Sequence, residues 1–342
     1  MKTLTLHMGL PKTGTTTLQK SVFPNWEGYL GGQSLDVQTD TVRHALDLYL
    51  VSAGKGPESH RNVSNRHWRK SAENFLGSIA SQSCDQLFLS AELFSSWIVP
   101  TPGWGNWEWP LEEPKREFKP RIGPHPFVAF AEALSSVSHE FKLKVVITLR
   151  RQDQFLLSLY THLFGLWGRS INQRDFHRRV LRLLDSGDQY LLWDSLIRSL
   201  HEVLGRDAVL VCIFEDGVEA VASNIHSFLF DRTTLFSGLP SLNSRTREGY
   251  KMAPRGSVAE AVWKLGRSVW PKDVASRLRL NLGALLGHPE QRLLSIGMQE
   301  RDRRGARRFI PKPATIRAIS DYCAESNQNL GLLINRPTWT AF

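Results

Sequence analysis

Leu4-Thr5-Leu6-His7-Met8-Gly9-Leu10-Pro11-Lys12-Thr13-Gly14-Thr15-Thr16-Thr17-Leu18 is the stretch that decides the fold of this chain. An apolar run suited to a buried strand passes into a loop with two glycines, and the loop delivers threonines to a helix start. A loop of that build turns backbone N–H groups and a helix N-terminus on one anion. The nucleoside-triphosphate loop reads G-x-x-x-x-G-K-[ST], with lysine directly after the second glycine. Here Gly9 and Gly14 keep the spacing, Thr15 stands in the lysine's place, and the one cation of the loop is Lys12. Moving the cation inward changes which ligand oxygen it neutralises.

Outward from the loop, short apolar runs alternate with stretches of helical period, which points to an α/β fold around a parallel sheet of about five strands. Strands are expected at Thr3–Met8, Gln86–Ser90, Lys144–Arg150 and Ala208–Phe214, with a short one near Gly28–Leu30. Their near-continuous apolar character suits a sheet covered on both faces, a three-layer arrangement. The periodicity predicts helices at Thr15–Phe23, Val42–Val51, Trp68–Ser81, Phe127–Glu140, Gln154–Leu166, Leu192–Leu204 and Val218–Phe230. Gly205 is expected to stop the sixth of these. Residues 97–127, rich in Pro, Gly and Trp, interrupt the alternation as a long loop insertion. Beyond residue 239 the chain turns helical and basic, with helices expected at Val258–Trp270 and Thr315–Leu330. The organisation expected is a single domain over 1–342: an α/β core to residue 239 and a C-terminal extension from 240.

Composition narrows the class. The chain has 342 residues, 41% apolar and 22% charged, ordinary for a globular protein with a sizeable core. Cys84, Cys212 and Cys323 are far apart and odd in number, which argues against a disulfide framework or a zinc site. Cys212, inside an apolar run, reads as a buried thiol. No stretch reaches the roughly 18 apolar residues that a membrane span needs. With only Met1–His7 ahead of Met8-Gly9, no leader or anchor is expected, and the location expected is cytoplasmic. Of the net charge of +10, residues 241–317 carry 17 Lys/Arg against 6 Asp/Glu. Such a segment draws a polyanion or a highly charged cofactor, or else is a solvated basic surface.

A second anion site is written at the third long strand. Lys144-Val145-Val146-Ile147-Thr148-Leu149 ends at Arg150, and after Arg151-Gln152 an Asp153 suited to helix capping opens an amphipathic run. Ser158 stands on that helix, eight positions beyond Arg150. In open α/β sheets ligands gather at the carboxyl ends of strands, where both the glycine loop and Arg150 would emerge.

Taken together, Pro11-Lys12-Thr13-Gly14-Thr15-Thr16 and the Arg150…Ser158 pair resemble the two nucleotide motifs of sulfotransferases that use 3′-phosphoadenosine-5′-phosphosulfate (PAPS), and the chain looks like a bacterial-type, carbohydrate-sulfotransferase-like member. The resemblance covers roughly residues 1–230 and extends to Ile213-Phe214-Glu215-Asp216 before a helix. It implies that Pro11, Lys12, Thr13, Gly14, Thr15 and Thr16 bind the 5′-phosphosulfate, and that Arg150 and Ser158 clamp the 3′-phosphate. A third, basic element of the family would fall on Arg245-Thr246-Arg247-Glu248-Gly249-Tyr250-Lys251, through Arg245 and Arg247, with Arg255 and the Arg301–Arg308 cluster as rivals. Gln152 departs from the pattern, since the family usually has proline there.

The reaction so implied moves a sulfonate to an acceptor hydroxyl or amine by in-line displacement. Charge grows on the oxygen bridging to the 5′-phosphate, and Lys12 is suited to neutralise it. The sulfonate carries one charge, so no metal is expected. A hydroxyl acceptor needs a general base. Glu92, just past Leu89-Ser90, is the first candidate and alternatively a helix-start carboxylate. His7 is the second, and alternatively a hydrogen-bonded core residue. Trp104, Trp107 and Trp109 would offer flat faces to a carbohydrate acceptor, or simply anchor their loop. Two rival readings remain. A small-molecule or nucleotide kinase would need a lysine after Gly14 and a strand-end aspartate, for which Asp216 alone is available. A nucleic-acid binder would leave the loop unexplained and shows no recognised motif, so no nucleic-acid partner is expected.

Overall fold

The apolar run at the N-terminus is the middle strand of a parallel sheet. In the computed structural model, which describes residues 1–10, 13–32, 65–95, 125–138, 140–166, 173–239 and 310–336, β1 spans Lys2–Gly9. The other strands are β2 (Tyr29–Gly32), β3 (Gln86–Ser90), β4 (Phe141–Leu149) and β5 (Val209–Ile213), in the order β2-β3-β1-β4-β5. Every pairing is parallel. β1 aligns His7 with Ser90 on one side and with Val146 on the other, and Gly9 with Thr148. Side chains alternate along a strand, so Leu4, Leu6 and Met8 bury one face and Thr5 and His7 the other.

The helices among the described residues are α1 (Thr15–Thr17), α2 (Asn65–Ile79), α3 (Pro126–Val137), α4 (Gln152–Leu166), α5 (Gln173–Asp185), α6 (Trp193–Leu204), α7 (Val218–Phe230) and α8 (Pro313–Leu333). One layer consists of α2 on α3, α3 on α6 and α6 on α8, with α3 and α6 meeting β4 and β5. On the face of Thr5 and His7, α7 and the stretch after α1 close a core of Leu18, Val22, Phe23, Trp26, Phe88, Val146, Cys212, Ile225 and Leu229. The result is the three-layer α/β fold with a five-stranded parallel sheet that the sequence pattern implies.

Boundaries moved where a local signal met a stronger partner. The expected helix Thr15–Phe23 is one α-turn that widens into a π-helical turn, Leu18–Val22, and ends in a 3₁₀ turn, Phe23–Asn25. Asp153 does not cap α4: the helix starts at Gln152, and Asp153 lies in its first turn, ion-paired to Arg151 at 3.0 Å. The first part of α4 is also less amphipathic than its sequence reads, for eight of the nine residues Gln152–Tyr160 are buried. α5 was not expected, yet Phe176, Val180, Leu183 and Leu184 recur at helical spacing on its buried side. Gly205 does end α6, and Cys212 is buried with its thiol pushed up to about 12 by desolvation.

The chain divides into two compact units, one of Met1–Leu159, Arg179–Ser244 and Pro313–Phe342, the other of Tyr160–Arg178 and Arg245–Lys312. The first holds the whole sheet and every site residue described below. In the second, Tyr160 packs its ring on Phe176 at 5.0 Å. The expected helices Val42–Val51 and Val258–Trp270, and all but the last residues of the insertion 97–127, lie outside the described residues. Among the described residues no helix is long and apolar enough to cross a membrane.

Candidate functional site

The order of the strands creates the site. From β1 the chain turns toward β3 and β2, and from β4 it proceeds toward β5, so the strand ends part between β1 and β4. A crevice at such a switch point is where open α/β sheets take their ligands. Gly9 and Leu10 leave one wall, with Leu10 N–H donating to Thr148 O at 3.1 Å, and Arg150 leaves the other.

The loop itself is tied inward. Thr13 N–H and Thr13 hydroxyl both donate to Leu10 O, at 3.2 and 2.6 Å. Thr13 has then spent its proton, so the 3.2 Å contact to Thr15 Oγ1 is a bond donated by Thr15. Both hydroxyls therefore brace the loop; of the two threonines of this turn outside that chain, Thr16 is half-buried and Thr17 is buried. Gly14 enters the helix at φ +73°, and a Cβ there would come within 2.8 Å of Val218 Cγ2 and 3.2 Å of Phe214 Cε2. A side chain is excluded by conformation and by space at once. At Gly9 a Cβ would meet Thr15 Oγ1 at 2.5 Å, so the inward hydroxyl of Thr15 depends on the glycine opposite it. The first N–H groups of the helical stretch that begins at Thr15 have no partner within a helix, which is the property that makes such a start an anion cradle.

Beneath the loop runs a buried polar chain. His7 is fully buried, with Nδ1 2.8 Å from Ser90 Oγ and Nε2 2.9 Å from Thr148 Oγ1. Gln19, from the π-helical turn, donates to Ser90 O and to Ser90 Oγ, both at 3.0 Å. The arrangement that uses every donor has Ser90 giving its proton to Nδ1, and Nε2–H donating to Thr148. Desolvation lowers the His7 pKa to about 3, so the ring is neutral at ordinary pH. Phe23 meets it edge-on and Phe88 stacks on it, at 5.5 and 6.2 Å. This is the geometry of a hydrogen-bonded core histidine that links β1, β3 and β4 under the loop.

Arg150 reaches the same neighbourhood through an aromatic ring. Its guanidinium carbon lies 5.1 Å from the centroid of Phe214, the ring whose edge approaches Gly14. Phe214 opens a 3₁₀ turn, Phe214–Asp216, at the end of β5. The next residue, Glu215, accepts the backbone N–H of Arg151 at 3.0 Å through Oε1, and Asp216 is ion-paired with Arg336. Ser158 is buried two turns into α4, not turned to solvent. Loop, Arg150 and the β5 end are thus brought together.

For the remaining candidates the outcome is mixed. A 3₁₀ turn, Glu92–Ser95, follows β3; Ala91 N–H donates to His7 O at 3.0 Å and Ser95 hydroxyl to Gly9 O at 3.1 Å, which ties the turn to the start of the loop. Of Glu92 the backbone is described. Pro11 and Lys12 lie outside the described residues, as do Trp104, Trp107, Trp109, Arg245, Arg247, Arg255 and Arg301–Arg308. Among the described residues no group of three His, Cys, Asp or Glu side chains is arranged to hold a metal. The sequence reading missed Gln19, Ser95, Thr148 and the ring of Phe214 as neighbours of the loop. Phe214 carried the one usable signal, an aromatic residue at a strand end.

No protein-family model and no curated protein matches the chain. Among solved structures it is similar to a sulfotransferase from Alicyclobacillus acidocaldarius, with 12% identity, 100% of each chain covered and a TM-score of 0.47.

Proposed function

We propose that this chain is a sulfotransferase that moves a sulfonate group from PAPS to an acceptor hydroxyl or amine. The observation that carries the reading is the meeting, over Phe214, of a lysine-shifted glycine loop and a strand-end arginine at one switch point. Two separate anion sites suit a nucleotide that carries a 5′-phosphosulfate and a separate 3′-phosphate. The residues fit that ligand: Gly14, at φ +73° and packed against Val218 and Phe214, sets the turn that starts the helical stretch, and Arg150 carries a planar charged fork suited to a phosphate. PAPS would supply the activated sulfonate. Backbone N–H groups at Thr15 and Thr16 and the Thr16 hydroxyl would hold the 5′ end, and Lys12 would neutralise the charge left on the bridging oxygen.

Glu92 would accept the proton of the acceptor hydroxyl. In favour of that role is the Ser95–Gly9 bond, which keeps the turn bearing Glu92 against the loop. His7, neutral and bonded through both nitrogens, is assigned to holding three strands in register rather than to proton transfer. A carbohydrate is the acceptor class that Trp104, Trp107 and Trp109 would suit. The kinase alternative is disfavoured at Asp216, whose carboxylate is held by Arg336.

The test is calorimetric titration with adenosine 3′,5′-bisphosphate (PAP), AMP and Mg·ATP, followed by mass spectrometry of an acceptor library incubated with PAPS. The expected result is tight PAP binding, weaker AMP and ATP binding, and an acceptor heavier by one sulfonate. Binding of Mg·ATP in preference to PAP would overturn the reading.

A further inference from the structure

The turn Arg150-Arg151-Gln152 is held from two sides by one segment of the chain, 175 residues away. Gln152, the first residue of α4, is fully buried. Its side-chain amide pairs reciprocally with that of Asn327 in the middle of α8: Gln152 Nε2 donates to Asn327 Oδ1 at 2.7 Å, and Asn327 Nδ2 donates to Gln152 Oε1 at 3.3 Å. Gln152 Nε2 also lies 3.4 Å from Leu191 O. Asn327 is itself buried, and the next residue back, Ser326, donates its hydroxyl to Asp194 of α6, which fixes α8 along its axis. Below α8, Arg336 pairs with Asp216, the neighbour of Glu215, and Glu215 receives the Arg151 N–H. The direct route thus ends one side of the turn, and the indirect route the other.

Buried reciprocal amides are demanding, because loss of one leaves the donor and acceptor of the other unsatisfied. Ile319, Cys323 and Leu330 bury α8 through apolar side chains, and the amide pair adds a polar tie from that helix to the start of α4. The pair ties the first residue of α4, two positions after Arg150, to the C-terminal helix. A proline at position 152 would fix the backbone there by its ring; here a side chain from the far end of the chain does so.

We infer that α8 belongs to the anion site, with Asn327 and Arg336 as positioning residues that aim Arg150 at the 3′-phosphate of the nucleotide. The inference rests on the function proposed above, and it adds that selectivity for the 3′-phosphate is set partly from residues 327 and 336. Neither residue touches the ligand in this scheme. Their effect passes through Arg150, so it falls on the ligand that carries a 3′-phosphate and spares the one that lacks it.

The experiment measures the dissociation constants of PAP and of AMP for the full-length wild type, Asn327→Leu, Arg336→Gln and the amide exchange Gln152→Asn/Asn327→Gln. For Asn327→Leu the expected result is PAP binding weakened about 10- to 100-fold, as misaimed charged groups cost, with AMP binding within about twofold of wild type. Arg336→Gln, at a half-exposed position that folding tolerates, should cost about threefold in PAP alone, a fraction of what a charge-assisted contact contributes. The exchange should regain PAP affinity relative to Asn327→Leu. PAP and AMP weakened by the same factor, or a PAP-to-AMP ratio unchanged in both single variants, would overturn the inference. A wild type that does not prefer PAP to AMP would instead overturn the proposed function, so the two failures are distinct.

Discussion

Acid should unfold this protein partly through one ring. His7 is fully buried, and its pKa falls from 6.5 to about 3 because burial penalises the imidazolium. Below pH 6.5 the unfolded chain binds a proton at this residue that the folded chain does not. Stability from His7 is therefore complete above pH 6.5 and is lost as pH falls toward 3. Each pH unit in that window costs about 1.4 kcal/mol, so moving from pH 7.5 to pH 4.5 removes roughly 2.7 kcal/mol through this residue alone. His7→Gln keeps one donor and one acceptor in the space between Ser90 and Thr148 and has nothing to titrate. At pH 7.5 it should be less stable by about 1–3 kcal/mol through imperfect packing and hydrogen bonding. The assay is urea unfolding of both proteins at pH 7.5, 6.5, 5.5 and 4.5. Other titrating groups cancel in the difference between the two curves, which should close by about 2.7 kcal/mol across the series. Parallel curves would refute the burial argument. Loss of turnover in a His7→Gln protein with wild-type PAP affinity would return His7 to the mechanism as a base.

Three further changes probe the loop and its neighbours. Gly9→Ala should cost about 1–3 kcal/mol by forcing a methyl onto Thr15 Oγ1. Gly9→Ala/Thr15→Ala should recover part of that loss in thermal unfolding, and strictly additive losses would mean that the clash is not the cause. Lys12→Ala should lower turnover about 100- to 1,000-fold while leaving the melting temperature within error, as read by a sulfonate-transfer assay beside calorimetry. Glu92→Gln should lower turnover roughly 100- to 10,000-fold with PAP affinity unchanged. A stable, fully active Glu92→Gln would reduce that residue to a helix-start carboxylate.

What could be read from the sequence was local. Gln86–Ser90 and Val218–Phe230 have the predicted bounds because an abrupt change of polarity marks both ends. The passage from strand to helix start at Gly9 and Gly14 was legible too, since its signal lies in neighbouring residues. The helix after it was misjudged because Pro24 lacks the N–H that a regular helix would use next, and the turn closes instead with Phe23 N–H on Leu18 O. Asp153 looks like a cap in sequence, but a guanidinium two residues back is the stronger partner. α5 was hidden by its four arginines, which interleave with the apolar residues spaced four, three and one apart. The His7–Ser90–Thr148–Gln19 chain could not be read at all. Its members are 83, 141 and 71 residues apart, and only the sheet register makes them neighbours.

That register also explains why Phe214 matters more than its place in the sequence suggests. β5 lies beside β4 with Leu149 opposite Ile213, so the residue after each strand end, Arg150 and Phe214, emerges side by side. β4 in turn lies beside β1, which brings the glycine loop to the other side of the same opening. An aromatic face orients a guanidinium without neutralising it, whereas a carboxylate in that position would take up the charge. The carboxylate that does stand next in line, Glu215, is committed to the Arg151 N–H, and Asp216 is committed to Arg336. Glu215 also interacts by charge with Arg150 and Arg151, so the acids at the end of β5 serve the backbone, the strand-end arginines and the C-terminal segment. Arg150 and the glycine loop thus emerge on the two sides of one opening, which is the placement that the proposed nucleotide site would use.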